Sequence, residues 1–457
     1  MLPLKIGGVL PISNGMKEAK GFQLAILGTF GVFIILGVLA FSGILPGFSN
    51  TSKDKNQFLG NVVIWGTLSQ GAMTTIVDDF NSINEDTVTL TYTEKSKGVF
   101  ESELVEALAD GIGPDMILLP QDFIMRHRNK IYPIPYEVLP ERTFKDNFIE
   151  EGELYLGLTG SYAVPFAVDP LVMYWNRDIF SSALVSAPPS YWDEFFGLAK
   201  MITKIDNNSN IKKSLVSFGE FDNVANAKDI LSMLIMQAGS PIITIDENRT
   251  YRPTLSEDES NGVSPADEAF RFYTEFSNPT KTSYSWNRSL PYSRDMFTTG
   301  DLALYFGYAS EYASLQKKNP HLNFDVTTVP QTRTADRKLT FGKMQGLAIL
   351  KSSKVLSADL AAATLLSSKD IISTASTALN LPPVRRDLLA QKPKESYLSV
   401  FYDGALLSRG WLDPSPSETN AIFSEIVQDI TSGRRKLSSA VDNGNAQLLK
   451  LLRGYNK

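Results

Sequence analysis

The stretch YAVPFAVDPLVMYWNRDIF, residues 162–180, decides the fold of this chain. It is apolar and aromatic, it carries one early acid, Asp169, between Pro165 and Pro170, and it ends in a polar Asn-Arg-Asp. Such a run is typical either of an ordinary buried strand or of the wall of a binding site. The rest of the chain has to decide between these alternatives.

Strand and helix patterns alternate in the part of the chain before this stretch. Residues 61–65 and 88–92 have the pattern of strands, and residues 72–84 and 101–109 have the pattern of helices. The run GPDMILLP, residues 113–120, is typical of a buried strand after a turn. This alternation indicates parallel strands with helical crossovers. The sequence therefore predicts an α/β fold with an open sheet, in which ligands bind at the carboxyl ends of strands.

After the stretch, the chain has the pattern of a mostly helical region from residue 174 to about 277. It includes a helix at residues 190–203, for which Ser190 is the expected N-cap. Residues 322–330 and 341–350 then have the pattern of strands.

Length, charge and cysteine content restrict the class of protein. A chain of 457 residues is too long for one simple core, so two lobes are expected. The net charge of −6 provides no basic surface for nucleic acid. The chain has no cysteine, which excludes disulfides, thiolate metal sites and an N-terminal lipid-modified cysteine. With only His127 and His321 as imidazoles, neither a metal site nor a cofactor is expected.

Residues 22–45 are 24 residues without a charge. At about 1.5 Å of rise per residue, a helix of this length crosses the roughly 30 Å hydrocarbon core. The flanking lysines favour a cytoplasmic N-terminus. We therefore predict a cytoplasmic segment at residues 1–20, a single-pass transmembrane anchor in the cell membrane at 21–45, a tether at 46–60 and an extracytoplasmic main body. A cleaved signal peptide remains the alternative.

The motifs of common enzymes are missing. The chain has no phosphate-binding loop, no H-E-x-x-H helix and no nucleophile elbow, so an enzyme is not expected. Aromatic residues instead stand beside glycines or in expected loops, among them Trp65, Trp286 and Trp411. Flat apolar faces with a few polar groups are typical of small-molecule sites, and acids and amides accept and donate to sugar hydroxyls.

Several blocks, in this order, resemble the extracellular solute-binding proteins of ABC importers, specifically the sugar-binding group that includes maltose-binding protein. The blocks are VVIWG (62–66), ELVEALADGIGPDMILLP (103–120), the opening stretch, PPSYWDEFFGLAKMIT (188–203), MFTTGDLALYFGY (296–308) and FGKMQGLAIL (341–350). Together they cover nearly all of the chain after residue 61, and their order and spacing make the resemblance specific.

The resemblance implies a type II, two-lobed binding-protein fold. One lobe is expected at residues 61–168 plus about 332–371, and the other at 169–331 plus about 372–457. A small polar ligand, a carbohydrate, would bind in the cleft between the lobes, and the hinge would close around it. The closed form would dock on the permease subunits of an importer, which a separate ATPase powers.

The resemblance and the aromatic pattern also imply where the ligand binds. Asp169 is expected to face the cleft as an acceptor for ligand hydroxyls. The full set of expected ligand-binding residues is Trp65, Gly66, Asp122, Asp169, Tyr174, Trp286, Tyr308, Gln345 and Trp411. None of them is expected to be catalytic or to bind a metal.

The chain also departs from the pattern of this group. Relatives often carry a tryptophan two or three residues after the position of Gly307, where this chain has Ala309 and Ser310, and an aromatic residue where it has Leu119. These departures argue against a maltodextrin-like ligand and leave other sugars and polyols open. A polyamine receptor, a surface interaction or sensory protein that retains the fold, and an extracytoplasmic hydrolase are the remaining alternatives.

Overall fold

The computed structural model describes residues 58–208, 210–247, 249–257, 262–333 and 337–456. The predicted cytoplasmic segment, the predicted anchor at residues 21–45 and most of the predicted tether lie outside these residues. Across the described ranges, no helix is both long enough and apolar enough to span a bilayer.

Helices and strands alternate along the chain. The strands are β1 (Gly60–Gly66), β2 (Val88–Glu94), β3 (Met116–Pro120), β4 (Ile131–Tyr132), β5 (Ile134–Pro135), β6 (Gly160–Ser161), β7 (Val164–Asn176), β8 (Lys204–Ile205), β9 (Ile211–Val216), β10 (Ile243–Ile245), β11 (Tyr251–Pro253), β12 (Leu302–Tyr308), β13 (Phe324–Thr327), β14 (Thr340–Leu350) and β15 (Ser408–Arg409). The α-helices are α1 (Gln70–Asn84), α2 (Phe100–Ala109), α3 (Ile124–His127), α4 (Glu141–Asn147), α5 (Arg177–Ser182), α6 (Glu194–Ile202), α7 (Ala227–Gln237), α8 (Pro265–Glu275), α9 (Ser293–Thr299), α10 (Tyr312–Lys318), α11 (Leu356–Leu366), α12 (Lys369–Leu379), α13 (Arg386–Leu389), α14 (Ser396–Leu407), α15 (Pro416–Thr431) and α16 (Leu437–Leu452). Short 3₁₀ turns lie at Gln121–Phe123, Glu150–Tyr155 and Ala309–Glu311.

One long antiparallel strand pair joins the two halves of the main sheet. The strand order in the described part of the chain is β2-β1-β3-β14-β7-β12-β9-β8, with β4 and β15 on β14 and β13 on β7. β1 is parallel to β2 and to β3, whereas β14 is antiparallel to β3 and to β7. On the other side, β12 is antiparallel to β7 and parallel to β9. The parallel strand arrangement and the helical crossovers confirm the predicted α/β class.

Two separate hydrophobic cores pack on this sheet. The first contains buried side chains of β1 to β3, α1, α2, α11 and α12, and the second contains those of β9, β12, α6 to α8, α15 and α16. β7 contributes Val168 to the first core and Leu171 to the second, so the change of core takes place at Asp169. Ile372 packs in the first core and Phe401 in the second, and the predicted lobe limits stay predictions.

The opening stretch forms a buried strand, the first of the two alternatives that the sequence left open. Its strand, β7, is buried at every position except Asp169 and Trp175, which are partly exposed. Val, Leu and Met on both faces fit a strand that is covered on each side. The strand ends at Asn176, whose Oδ1 accepts the backbone N–H groups of Asp178 and Ile179 and thereby caps α5.

Two predictions for the region after β7 are wrong. The region expected to be mostly helical contains β8 to β11 between its helices. The helix expected to begin at Ser190 begins at Glu194. The Glu194 carboxylate accepts the backbone N–H of Ser190 at 2.8 Å, which holds the preceding residues in a loop. By contrast, the sequence pattern at residues 264–276 predicts a helix with Pro265 in its first turn, and α8 confirms it. Ser264 Oγ accepts the Asp267 N–H at 3.0 Å just ahead of Pro265.

Candidate functional site: a charged cavity between two cores

A cavity of about 500 Å³ lies where the two cores meet on the shared sheet. The first half of the chain contributes the residues that follow β1 and β3, which are the carboxyl ends of parallel strands, as an open α/β sheet predicts. The lining residues that carry the argument below are Thr67, Ser69, Lys97, Asp122, Asp169, Lys228, Asp229, Ser310, Lys343, Gln345, Trp411 and Asp413.

Asp169 lies in the wall of the cavity at the point where β7 passes between the cores. It stands directly opposite Lys343 on β14, and its Oδ1 accepts the backbone N–H of Ser310 at 3.0 Å. Burial raises the pKa of Asp169 to about 6, although the contact with Ser310 and the charge of Lys343 oppose this shift. The backbone of Ser310 therefore holds the carboxylate in the wall of the cavity.

Lys343 forms an ion pair with Asp229 rather than with Asp169. Its Nζ lies 2.8 Å from Asp229 Oδ2 and 4.0 Å from the centre of the Tyr308 ring. The Tyr308 hydroxyl donates to the same Oδ2 at 2.7 Å. Burial raises the pKa of Asp229, but Lys343 and Lys228 outweigh burial and hold this pKa below its ordinary value. Asp229 thus stays ionised and its charge is neutralised by Lys343.

A second ion pair joins Lys228 at the start of α7 to Asp413. The distance from Lys228 Nζ to Asp413 Oδ2 is 2.7 Å, and Thr419 Oγ1 donates to the same carboxylate. Trp411 lies beside this pair, with Lys228 Nζ 5.9 Å from its ring centre. Its indole N–H donates to Ser232 Oγ at 3.1 Å, so only the edge of its 4%-exposed side chain reaches the cavity.

Asp122 and Gln345 are two lining side chains whose polar groups form no hydrogen bond with the described residues. Within the described residues, Asp122 has no hydrogen bond and no cation within 4.0 Å. Burial, and after it the neighbouring charge of Asp413, raises the pKa of Asp122. The Oε1 atom of Gln345 is buried without a hydrogen-bond partner. A buried polar atom without a partner is rare in native proteins, and a ligand is one explanation for it.

Four of the predicted site residues line this cavity, namely Asp122, Asp169, Gln345 and Trp411. Trp65 and Gly66 stand at the end of β1 but do not line it. The place of a Cβ on Gly66 is filled by Leu118 and by the Tyr92 hydroxyl, so this glycine allows close packing. Trp65 is covered by Lys95, whose Nζ lies 3.9 Å from the ring centre.

The remaining predicted site residues belong to the second core. Trp286 is fully buried and donates its indole N–H to Asn223 Oδ1 at 3.0 Å. Tyr174 is also fully buried and donates to the backbone carbonyl of Tyr308 at 2.7 Å. Tyr308 does not line the cavity and contacts two residues that do, Lys343 and Asp229. A position beside a glycine or in an expected loop therefore does not tell an aromatic residue of the core from one in a binding site.

The sequence interpretation missed the charged residues Lys228, Asp229, Lys343 and Asp413. No local motif marks them. Only the antiparallel register of β7 and β14, which places Lys343 opposite Asp169, could have indicated one of them. In the described part of the chain, no group of three or more His, Asp or Glu residues is arranged to hold a metal ion.

Comparison with curated proteins finds distant relatives that are described as binding proteins. The chain is 21% identical over 275 residues to a curated protein of Brucella abortus (strain 2308), described only as a candidate binding protein. This match covers 58% of the chain, which spans about three fifths (61%) of the length of the curated relatives it matches.

Solved structures share the fold at low identity. The cyclic alpha-maltosyl-1,6-maltose binding protein from Arthrobacter globiformis superposes with a TM-score of 0.71 at 15% identity, over 86% of this chain and 99% of that one. An ABC transporter solute-binding protein from Thermotoga lettingae, bound with alpha-D-tagatose, superposes with a TM-score of 0.64 at 17% identity, over 86% and 100%. A sequence profile of the bacterial extracellular solute-binding proteins matches residues 75–398, and the chain belongs to this family.

Proposed function

We propose that this chain is the extracytoplasmic receptor of an ABC importer and binds a carbohydrate in the cavity between its two cores. Its family consists of binding proteins, so the chain is not an enzyme, and the family implies that its main body lies outside the cytoplasm. The proteins of similar fold include one named for a cyclic maltosyl-maltose and one bound with tagatose, which supports a saccharide as ligand.

The main support for this proposal is that two polar side chains of the cavity form no hydrogen bond with the described residues. The Asp122 carboxylate and the Gln345 amide have no partner in the described protein, and both line the same cavity as the edge of Trp411. Carboxylates and amides hydrogen-bond sugar hydroxyls, and an aromatic edge packs against the sugar's apolar carbons. We assign Asp122, Asp169, Gln345 and Trp411 to the ligand. Trp65, Gly66, Tyr174, Trp286 and Tyr308 are left out because they do not line the cavity.

The proposal extends to transport. Closure of the two halves around the ligand would present the closed form to the permease subunits, and a separate ATPase would drive import. Residues 21–45 would hold the receptor at the membrane, with residues 1–20 in the cytoplasm and residues 46–60 as the tether.

The experiment is a thermal-shift and calorimetric screen of the full chain with sugars, polyols, polyamines and amino acids. The detergent must have no sugar headgroup, because an alkyl maltoside could compete for the cavity. A ligand at 100 times its Kd adds about 2.7 kcal/mol to the free energy of unfolding. We expect a saccharide to produce such a shift.

Two variants locate the binding site. Gln345→Leu should weaken saccharide binding about tenfold, the equivalent of one hydrogen bond, without lowering the free energy of unfolding. Gln391→Leu makes the same change at an exposed glutamine outside the cavity and should leave binding unchanged.

The screen can also contradict the proposal. A polyamine as the sole ligand would overturn the ligand class. Binding of nothing by a folded sample would favour a surface interaction or sensory protein.

A further inference from the structure

The charges of the cavity do not balance. Its lining contains the four aspartates Asp122, Asp169, Asp229 and Asp413 and the three lysines Lys97, Lys228 and Lys343. Lys228 and Lys343 are each in an ion pair, with Asp413 and with Asp229. Lys97 is an exposed residue between β2 and α2, and no ion pair joins it to a described carboxylate. Two carboxylates, Asp122 and Asp169, therefore remain without a cation of their own.

The two unpaired carboxylates are held where ionisation is unfavourable. Asp169 accepts one backbone N–H, from Ser310, and Asp122 accepts none from the described residues. Burial is the largest cause of the raised pKa at both residues. A closed cavity that buries two such carboxylates with a neutral ligand leaves them only the more distant charges of lysines that already pair with Asp413 and Asp229, which is unfavourable. A ligand with one positive charge removes most of that penalty.

The uncharged polar groups of the cavity argue against a simple polyamine. The Gln345 amide and the hydroxyl groups of Thr67 and Ser69 line the cavity, and their side chains form no hydrogen bond with the described residues. These groups both donate and accept, which suits hydroxyl groups, whereas an aliphatic polyamine offers ammonium donors and apolar methylenes. The edge of Trp411 adds an apolar surface of the kind that a sugar ring covers.

We propose that the cavity selects an aminated saccharide, whose protonated amine lies between Asp122 and Asp169 while its hydroxyl groups meet Gln345, Thr67 and Ser69. This inference rests on the proposed carbohydrate-receptor function and specifies its ligand class. An ammonium group forms charge-assisted hydrogen bonds with carboxylates, which are roughly twice as strong as neutral ones.

The test compares ligands that carry an ammonium, an acetamide or a hydroxyl group at the same ring position, of which only the ammonium is charged. Glucosamine, galactosamine and mannosamine, and glucosamine oligomers of two to four units, are titrated calorimetrically into the full chain beside their N-acetyl forms and their parent sugars. At pH 6.5, where the amine is protonated, we expect at least one amine to bind ten times more tightly than its N-acetyl form and its parent sugar. The preference should shrink in 0.5 M salt and at a pH where the amine is neutral, since both remove its electrostatic cause.

A pair of variants separates charge from shape. Asp122→Asn keeps the size of the side chain and should lower the affinity for the amine about tenfold while leaving the N-acetyl form within twofold. Asp222→Asn, the same change at an exposed carboxylate outside the cavity, should alter neither affinity.

The outcomes separate this inference from the function on which it rests. Neutral sugars that bind as tightly as their amines overturn the amine preference and leave the carbohydrate receptor standing. An amine preference that Asp122→Asn and Asp169→Asn both leave intact overturns the assigned residues. If only spermidine or putrescine binds, or if no saccharide binds to a folded sample, both proposals fall.

Discussion

Asp169 carries a carboxylate that lines the cavity, and it lies on β7 at the point where this strand passes from one core to the other. Its pKa is about 6 in the folded chain, against an ordinary value of 3.8, because burial disfavours the carboxylate. Below pH 3.8 both the folded and the unfolded state carry a protonated group. As the pH rises from about 3.8 to about 6, the unfolded state loses its proton first, so Asp169 lowers the free energy of unfolding across that window.

Asp169→Asn should therefore become more favourable as the pH rises. The Asn carbonyl can still accept the Ser310 N–H, so the contact of 3.0 Å is retained. Between pH 4 and pH 7.5, the free energy of unfolding of the variant should improve by about 1–3 kcal/mol relative to the native chain. Urea unfolding at both pH values measures this difference. Asp222→Asn serves as the control, and an equal difference at both pH values would contradict the assignment.

Asp169 could be found from the sequence because an acid between two prolines interrupts an apolar strand. Lys343 could not be found, because its role depends on a strand register between residues far apart in the chain. Trp286 shows the opposite error. Its sequence neighbours are typical of a loop, yet packing of the second core buries the ring completely.

The turn at Glu150–Tyr155 packs closely against β14, one of the two strands that pass from one core to the other. Gly342 on β14 pairs with Pro170 on β7, and a Cβ at Gly342 would overlap the Glu151 carboxyl group. Glu151 is 1% exposed and lies beside the Gln121 and Ser408 side chains. Burial raises the pKa of Glu151 to about 8, so the group is mostly protonated at neutral pH. A neutral carboxylic acid is thus packed against the glycine of the connecting strand.

Gly342→Ala should lower the free energy of unfolding by about 1–3 kcal/mol, because the added methyl group overpacks this contact. Glu151→Ala opens space at the same place, so the loss in the double variant should be at least about 0.5 kcal/mol smaller than the sum of the two single losses. Gly197→Ala in α6 is the matched control. No atom lies within 4 Å of its added Cβ, and it should stabilise the helix slightly. Strictly additive losses would show that the overlap is relieved elsewhere.

Elements with a strong period were predictable, and elements fixed by long-range contacts were not. The apolar residues of the segment 437–452 recur at helical spacing and predict a helix over those residues, and α16 has these bounds. The short strands β8 to β11 were missed, because runs of two to six residues contain too little of the period-two pattern. The start of α6 was misplaced because a side chain, Glu194, rather than a local propensity sets it.

At the scale of the whole molecule, elements of the described part of the chain connect the two cores, as the proposed closure requires. β7 and β14 each pass from one core to the other, and α14 contributes Phe401 to the second core and Ala405 to the first. The cavity lies at these crossings and draws its lining from both cores, so a ligand that bonds to both sides would favour the closed arrangement that we propose.

Closure can be measured because the chain has no cysteine of its own. Glu106→Cys on α2 and Ala313→Cys on α10 are exposed label sites on helices that begin beside the cavity residues Phe100 and Ser310. With spin labels at both sites, addition of a saccharide that binds should shorten the electron–electron distance by roughly 2 Å or more and narrow its distribution.

A second label pair within the first core tells closure apart from local changes. Asp78→Cys on α1 with Glu106→Cys joins two exposed sites on helices of that core, and its distance should stay constant. If calorimetry shows saturation while the distance between the cores is unchanged, the two halves do not move on binding. The chain would then hold its ligand in a rigid cavity, and closure could not be the signal that a permease reads.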